Sequence, residues 1–482
     1  MREEQRTSLR GVLTITFLLL AAFSPASAGQ APDTSAVGIW QGALDVGGSK
    51  LRIVFHVVNA GGESLGGTLD SPDQGALGIR LSKVTVRDDS VLFEVAAIGG
   101  AYEGRISGNR TTIAGRWKQS GAALVLTLSR TATAIEVRRP QEPKPPFPYR
   151  AEEVSYENRT EGVKLAGTLT LPKAGGPFPA AVLITGSGQQ DRNEEIAGHK
   201  PFLVIADYLT RRGIAVLRVD DRGVGGSTAG LSGATSADFA TDVRAGIDFL
   251  KNRRDINPNS IGLIGHSEGG IIAPMVAAQS PDVAFVVMLA GTGFTGDQVI
   301  ERQLQLIEEA DSVPPAKVKS DVELSKALHA IVNSGNDSAA IDTRLREHLR
   351  TTISEWGEDL RKNGIDPEKT IEGQTKSLLQ TWIRYCLAYD PKPALGKVRC
   401  PVLAMGGALD LQVPARENLG AIEHALKNGA NRDCTIKLLP GLNHLFQHAK
   451  TGSPREYAQI EETFAPEALT AMGDWIDEHV KK

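Results

Sequence analysis

A short apolar strand that turns abruptly into an apolar helix around one serine constrains this chain more than any other feature. Ile261-Gly262-Leu263-Ile264 reads as a buried strand, Gly265-His266-Ser267-Glu268-Gly269 fits G-x-S-x-G, and Ile271 to Ala278 reads as an apolar helix. A turn this sharp forces the serine into a strained backbone conformation with its hydroxyl raised above the sheet edge. Glycine is needed on both flanks because a Cβ there would collide with the neighbouring strand and helix. The helix N-terminus then aims free N–H groups and partial positive charge at an anion formed beside the hydroxyl. The short pattern alone also occurs in surface Gly/Ser turns. The strand before it and the helix after it are what mark a nucleophile elbow.

A serine hydroxyl is a weak nucleophile near neutral pH and needs a base, which in turn needs an acid to orient it. In an α/β architecture these follow in the order Ser, Asp/Glu, His. Pro401-Val402-Leu403-Ala404-Met405 is an apolar strand, and Gly406-Gly407-Ala408-Leu409-Asp410 follows it, which puts Asp410 on a loop at a strand's C-terminal end. Cys434 to Leu439 reads as the next strand, and Pro440-Gly441-Leu442-Asn443-His444 as its turn. Ser267, Asp410 and His444 therefore each follow a separate strand in the required order. His448, four positions on, is the nearby competitor of His444; an ordinary turn aspartate is the rival reading of Asp410. His266, inside the elbow, points toward the strand and reads as a packed, hydrogen-bonded histidine.

Glu268 matters for its backbone, since the N–H after the nucleophile is one expected oxyanion donor. The second donor is expected from the loop Thr185 to Glu194, after the strand Pro179 to Ile184, with Ser187 preferred and Gln189 the alternative. Gly186 and Gly188 let the backbone approach a ligand closely. The spacing does not match G-x-G-x-x-G and no Walker-type lysine follows, so phosphate binding is set aside.

The Gly186-Ser187-Gly188-Gln189-Gln190-Asp191-Arg192-Asn193 loop, the Gly265 to Gly270 segment, Asp220-Asp221-Arg222-Gly223-Val224-Gly225-Gly226-Ser227 and Leu442-Asn443-His444-Leu445-Phe446 together resemble the α/β-hydrolase superfamily. Within it they resemble a bacterial exported esterase branch related to serine aminopeptidase-like hydrolases. The likeness runs from about Glu152 to the C-terminus and does not reach the first third of the chain. One departure is Thr185, at the position usually filled by histidine before the oxyanion glycine. The resemblance implies an α/β-hydrolase fold and a serine hydrolase.

The length suggests two folded domains plus appendages. The formal charge is −4 with no Lys/Arg block, which argues against nucleic acid or acidic lipid as main partners. Arg2, Arg6 and Arg10 precede the apolar run Val12 to Phe23 and then Ala26-Ser27-Ala28, the pattern of a signal peptide over residues 1–28. The expectation is export to the periplasm or the medium, with no stable membrane insertion after cleavage. Cys386, Cys400 and Cys434 have no metal-ligand spacing, and whether two of them pair is open. Neither a metal nor a cofactor is expected, and a homodimer stays open.

Residues 36–132 show period-two alternation broken by glycine clusters, which predicts a small antiparallel β domain, barrel-like or a sandwich, with Trp40 and Trp117 plugging it. Pro140, Pro143, Pro145, Pro146 and Pro148 crowd residues 133–150, read as a semi-rigid linker. Over 151–482 strands alternate with helices, which predicts a mainly parallel sheet wrapped by helices. From about 294 to 397 the strand signal gives way to charged helical periodicity, where a lid would be inserted, with Phe294, Trp356, Trp382 and Tyr385 as candidates to line its pocket. The leading expectation is cleavage of small-molecule carboxylic esters. An exopeptidase of the same fold ranks second and a thioesterase third. A binding protein on a dead scaffold is the rival from another class, and a complete Ser, Asp and His set in order argues against it.

Overall fold

The alternation between Gly38 and Thr131 becomes nine strands: β1 (Gly38–Val46), β2 (Ser49–Gly61), β3 (Ser64–Ser71), β4 (Ala76–Arg80), β5 (Lys83–Arg87), β6 (Ser90–Val95), β7 (Gly100–Ile106), β8 (Thr112–Gln119) and β9 (Ala122–Thr131). The computed structural model describes residues 34–480 except 47–48, 62–63, 73–75, 120–121, 134–137, 230–232, 336 and 355–365. The signal peptide expected at 1–28 and Trp356 lie outside the described residues. The strands form one antiparallel sheet in the order β4-β3-β2-β1-β9-β8-β7-β6-β5. Because β4 and β5 end the sheet without pairing to each other, it is a half-barrel rather than a closed barrel or a sandwich.

Its concave face is aromatic. Trp40, Phe55, Phe93, Tyr102 and Trp117 are buried in one cluster, with Phe55 4.9 Å from Phe93 and 5.6 Å from Tyr102. Buried indole and phenol groups need polar partners. The Trp40 Nε1–H donates to the Ala36 carbonyl at 2.7 Å, and the Tyr102 hydroxyl lies 3.0 Å from the Ile113 carbonyl. Both tryptophans thus serve as core filling.

The second sheet holds β10 (Arg150–Asn158), β11 (Val163–Leu171), β12 (Phe178–Ile184), β13 (Ala215–Val219), β14 (Ile256–His266), β15 (Val286–Leu289), β16 (Val402–Gly407) and β17 (Cys434–Leu439). Their order is β10-β11-β13-β12-β14-β15-β16-β17. The β10–β11 hairpin and the β11–β13 pairing are antiparallel, and from β13 to β17 every pairing is parallel. A parallel sheet must be covered on both faces, and β12 shows how: Ala180, Val182 and Ile184 enter one core, Ala181 and Leu183 the other. The first core is closed by α2 (Ser236–Lys251) and α3 (Gly269–Ala277), the second by α1 (Pro201–Arg211). The fold is that of an α/β-hydrolase.

Among the described residues six helices lie between β15 and β16: α4 (Gly296–Ala310), α5 (Pro315–Val332), α6 (Ser338–Ser354), α7 (Pro367–Leu378), α8 (Thr381–Ala388) and α9 (Lys392–Leu395). After β16 come α10 (Ala415–Asn428), on the first core, and α11 (Pro466–Val480), on the second. The insertion expected over 294–397 is not one body. The chain divides into two units, one holding residues up to Arg138 with Arg346–Ser377, the other Arg139–Leu345 with Leu378–Lys482. Val332, Ile341, Leu345 and Leu387 form a small apolar cluster within the second. All three cysteines are free thiols, and no helix among the described residues is long and apolar enough to cross a membrane.

The proline-rich segment is expected as a semi-rigid linker. From Arg139 on it belongs to the α/β unit. Proline has little to offer a ladder, so side chains of the segment do the docking. The Arg139 guanidinium donates to the carbonyls of Ala197, Gly198, Ala458 and Ile460 at 2.7–3.1 Å, and Gln141 bonds Thr463 and Phe464. Arg139→Ala would leave four carbonyls without their charged donor. It is expected to destabilise the α/β unit by about 2–3 kcal/mol while leaving the active-site chemistry intact, as read from a denaturant melt beside an ester assay.

Candidate active site

Ser267 sits between the end of β14 and the start of α3 with φ +53°, in the left-handed region, as a strand-to-helix reversal within one residue demands. Its N–H donates to the Leu289 carbonyl at 2.8 Å, and the Gly270 N–H donates to its carbonyl at 2.9 Å, so the strained residue is held on both sides. The flanking glycines are enforced by close approach. A Cβ at Gly265 would stand 2.0 Å from the Gly269 carbonyl oxygen, and one at Gly269 would stand 2.1 Å from that of Ile184. Both obstacles are backbone and cannot rotate away. Gly265→Ala is therefore expected to cost about 3 kcal/mol of stability and to open the elbow, lowering both the thermal midpoint and ester turnover.

Asp410 follows β16 and His444 follows β17, the neighbouring parallel strand. The structure brings them together: His444 Nδ1 lies 2.8 Å from Asp410 Oδ2, and both side chains are buried. Asp410 Oδ1 accepts the N–H groups of Gln412 and Val413, each at 2.8 Å. An acceptor-only carboxylate with three donors requires the proton on His444 Nδ1 and leaves Nε2 as the acceptor. The His444 turn is fixed by Asn443, whose Oδ1 accepts from the N–H groups of Leu445 and Gln447. Among the described residues the Ser267 hydroxyl makes no hydrogen bond, to His444 or to any other group. His448 is exposed and engages Glu462 and Glu467 at 2.9 Å each, away from Asp410.

The loop after β12 is held from two directions. The Gly186 N–H donates to Glu194 Oε1 at 2.6 Å, the Gln190 N–H donates to Asp221 at 2.9 Å, and the Thr185 hydroxyl donates to Asp221 at 2.8 Å. Thr185, the departure from the family pattern, thus anchors the loop through its side chain. Burial pushes the Asp221 carboxyl up to about 7, against those two hydrogen bonds. Between the anchors, the N–H groups of Ser187 and Gln189 have no acceptor among the described residues, and the same holds for the Glu268 N–H. Gln189 turns its side-chain amide to the Arg222 carbonyl at 3.3 Å.

The Glu268 side chain is also committed. Its carboxyl accepts the Ser236 hydroxyl at 2.6 Å and the Trp382 indole N–H at 2.9 Å. Burial raises its pKa, with hydrogen bonds from Ser236, Trp382 and Ser187 opposing. Trp382, on α8, therefore reaches the elbow. Tyr385 stacks on Tyr389 at 5.6 Å against the first core, and Phe294 lies under the Lys392 ammonium on a groove near α10. His266 is hydrogen-bonded, as its place in the sequence suggests, but its carboxylate partner is Glu194 at 2.9 Å. Nothing in the sequence singles out Glu194 beyond its position at the end of the loop. Among the described residues no group of three or more His, Cys, Asp or Glu side chains could hold a metal ion.

The chain is 33% identical over 308 residues to the esterase EstD of Thermotoga maritima, covering 63% of each chain, and so spans less than two thirds of that relative's length. A solved esterase of Pyrococcus furiosus superposes on 72% of this chain and 98% of its own at 14% identity and a TM-score of 0.42. The corresponding values for Est1E of Butyrivibrio proteoclasticus, solved with ferulic acid bound, are 68%, 100%, 17% and 0.39. The family model described as serine aminopeptidase, S33, matches residues 200–450, more than half of the chain, from α1 through the elbow, Asp410 and His444. With a match of that extent over the unit that carries the elbow, the chain belongs to the S33 serine aminopeptidase family of α/β-hydrolases.

Proposed function

We propose that this protein is an exported serine hydrolase that cleaves carboxylic esters through an acyl-enzyme. The observation that carries the reading is the 2.8 Å bond between Asp410 and His444 Nδ1, which leaves His444 Nε2 free to accept a proton, one loop away from a serine on a strained elbow. In this reading the Ser267 oxygen attacks the ester carbonyl as His444 Nε2 takes its proton, and Asp410 stabilises the imidazolium formed. The oxyanion is received by the N–H groups of Glu268 and Ser187, with Gln189 as the alternative to Ser187. Each donor contributes on the order of 3 kcal/mol. The intermediate collapses as His444 returns the proton to the leaving alcohol, and water then repeats the sequence on the acyl-enzyme.

Esterase is favoured over aminopeptidase by the burial of Glu268. An amine anchor needs an ionised carboxylate, and burial here disfavours the charged form. The esterase relative supports the same choice. The experiment is labelling by a fluorophosphonate, followed by a panel of p-nitrophenyl esters and aminoacyl amides. Labelling at Ser267 with turnover of the esters is expected. Labelling elsewhere, or turnover of the amides alone, would contradict the proposal. The signal-like N-terminus points to the periplasm or the medium, which cell fractionation tests.

A further inference from the structure

Beside the Asp410–His444 pair stands a second histidine–carboxylate pair that the proposed mechanism does not use. His266 is 4% exposed and Glu194 1%. His266 Nδ1 lies 2.9 Å from Glu194 Oε1, and its Nε2 lies 3.0 Å from the carbonyl oxygen of His444. A carbonyl can only accept, and so can an ionised carboxylate, so both ring nitrogens must donate, which requires the imidazolium. Where one proton is shared between an imidazole and a carboxylate, the imidazole is the stronger base and holds it. Glu194 Oε1 also takes the Gly186 N–H at 2.6 Å, which suits an oxygen with lone pairs to spare.

The pair therefore grips both sides of the site. One end fixes the loop that carries Ser187, and the other fixes the backbone of His444 itself. The two histidine rings are 4.8 Å apart between centroids. The charged or titratable groups acting on His266 are Glu194, from the loop after β12, and His444 and Asp410, from the loops after β17 and β16. Glu268, on its own segment, is turned to Ser236 and Trp382. Phe202, Ile205, Leu289, Leu445 and Phe464 supply an apolar surround. Burial alone would push the His266 imidazole down. The charge and hydrogen bond of Glu194, the His444 carbonyl and the charge of Asp410 outweigh it, and the net shift is upward.

We propose that Glu194 and His266 are positioning residues, a buried carboxylate–imidazolium pair that holds Gly186 and the His444 backbone in place. The proposal rests on His444 being the base. Only the doubly protonated ring can serve the Glu194 carboxylate and the His444 carbonyl at once.

The test uses Glu194→Gln, which keeps the side chain's shape. A neutral His266 has one ring proton, so the amide either keeps its oxygen on Gly186 and Nδ1–H and the His444 carbonyl loses its donor, or turns its NH₂ to Nδ1 and the Gly186 N–H loses its acceptor. kcat is expected to fall about tenfold with KM little changed, and the doubly protonated ring seen by NMR in the wild type is expected to disappear. A folded variant with wild-type kcat, or one that keeps a doubly protonated buried ring, overturns the proposal. Ser267→Ala and His444→Ala are measured alongside. Retained turnover in either would instead overturn the triad reading. If Glu194→Gln does not fold, histidine-labelled wild-type protein decides by NMR at pH 8. A slowly exchanging ring carrying both N–H protons is expected, and finding only singly protonated buried rings overturns the pair.

Discussion

Replacing Ser267 by alanine is expected to lower ester turnover by about 10⁶-fold and to leave the fold intact. The hydroxyl makes no hydrogen bond among the described residues, so its removal strands no buried partner. What remains in the proposed reaction is the oxyanion donors and binding, which alone give about 10³–10⁴ over water. The φ of +53° supplies a second readout. Alanine inherits the strain, whereas Ser267→Gly should relieve it and raise stability by about 1 kcal/mol. Turnover beside a thermal melt checks both. Near-wild-type activity in Ser267→Ala would remove the elbow from the mechanism, and an unstable Ser267→Gly would remove the strain argument.

Asp410→Asn is expected to cost about 10⁴-fold in kcat with the protein still folded. The asparagine carbonyl can replace Oδ1 as acceptor for the Gln412 and Val413 N–H groups. Its NH₂ then faces His444 Nδ1, where a donor now stands against a donor. The ring must move its proton to Nε2, the nitrogen that accepts from Ser267 in the proposed reaction, so the proposed base stands in the wrong tautomer. The loss should appear in kcat rather than KM, since Asp410 is buried behind His444 and touches no substrate in the proposed reaction. A loss of only a few-fold would assign the orienting acid to another residue.

Much of this unit was legible in the chain because its signals are local. A strand, one strained residue and an apolar helix must be consecutive, so Ile261 to Ala278 carries its own geometry. Asp410 and His444 follow strands that pair in parallel, and chain order then places both at the same sheet edge. The N-terminal sheet was legible as antiparallel strands for the same reason, but not as a half-barrel. Closure depends on whether β4 and β5 meet, and period-two alternation is the same in open and closed sheets.

What the sequence by itself determined is therefore the set of elements, their order, and the residues that an elbow and two strand-end loops present at one sheet edge. What only the tertiary structure decided is partnership across long stretches of chain. Glu194 meets His266 and Gly186, Trp382 meets Glu268, and Arg139 meets carbonyls near Ala197 and Ala458. Local composition carries no trace of such partners: the prolines of residues 133–150 mark stiffness, and only the structure shows Arg139 among them meeting four carbonyls. The reason is physical. A backbone conformation is set by neighbours in sequence, whereas a buried charge or donor must be satisfied by whatever the packing of distant segments brings within reach.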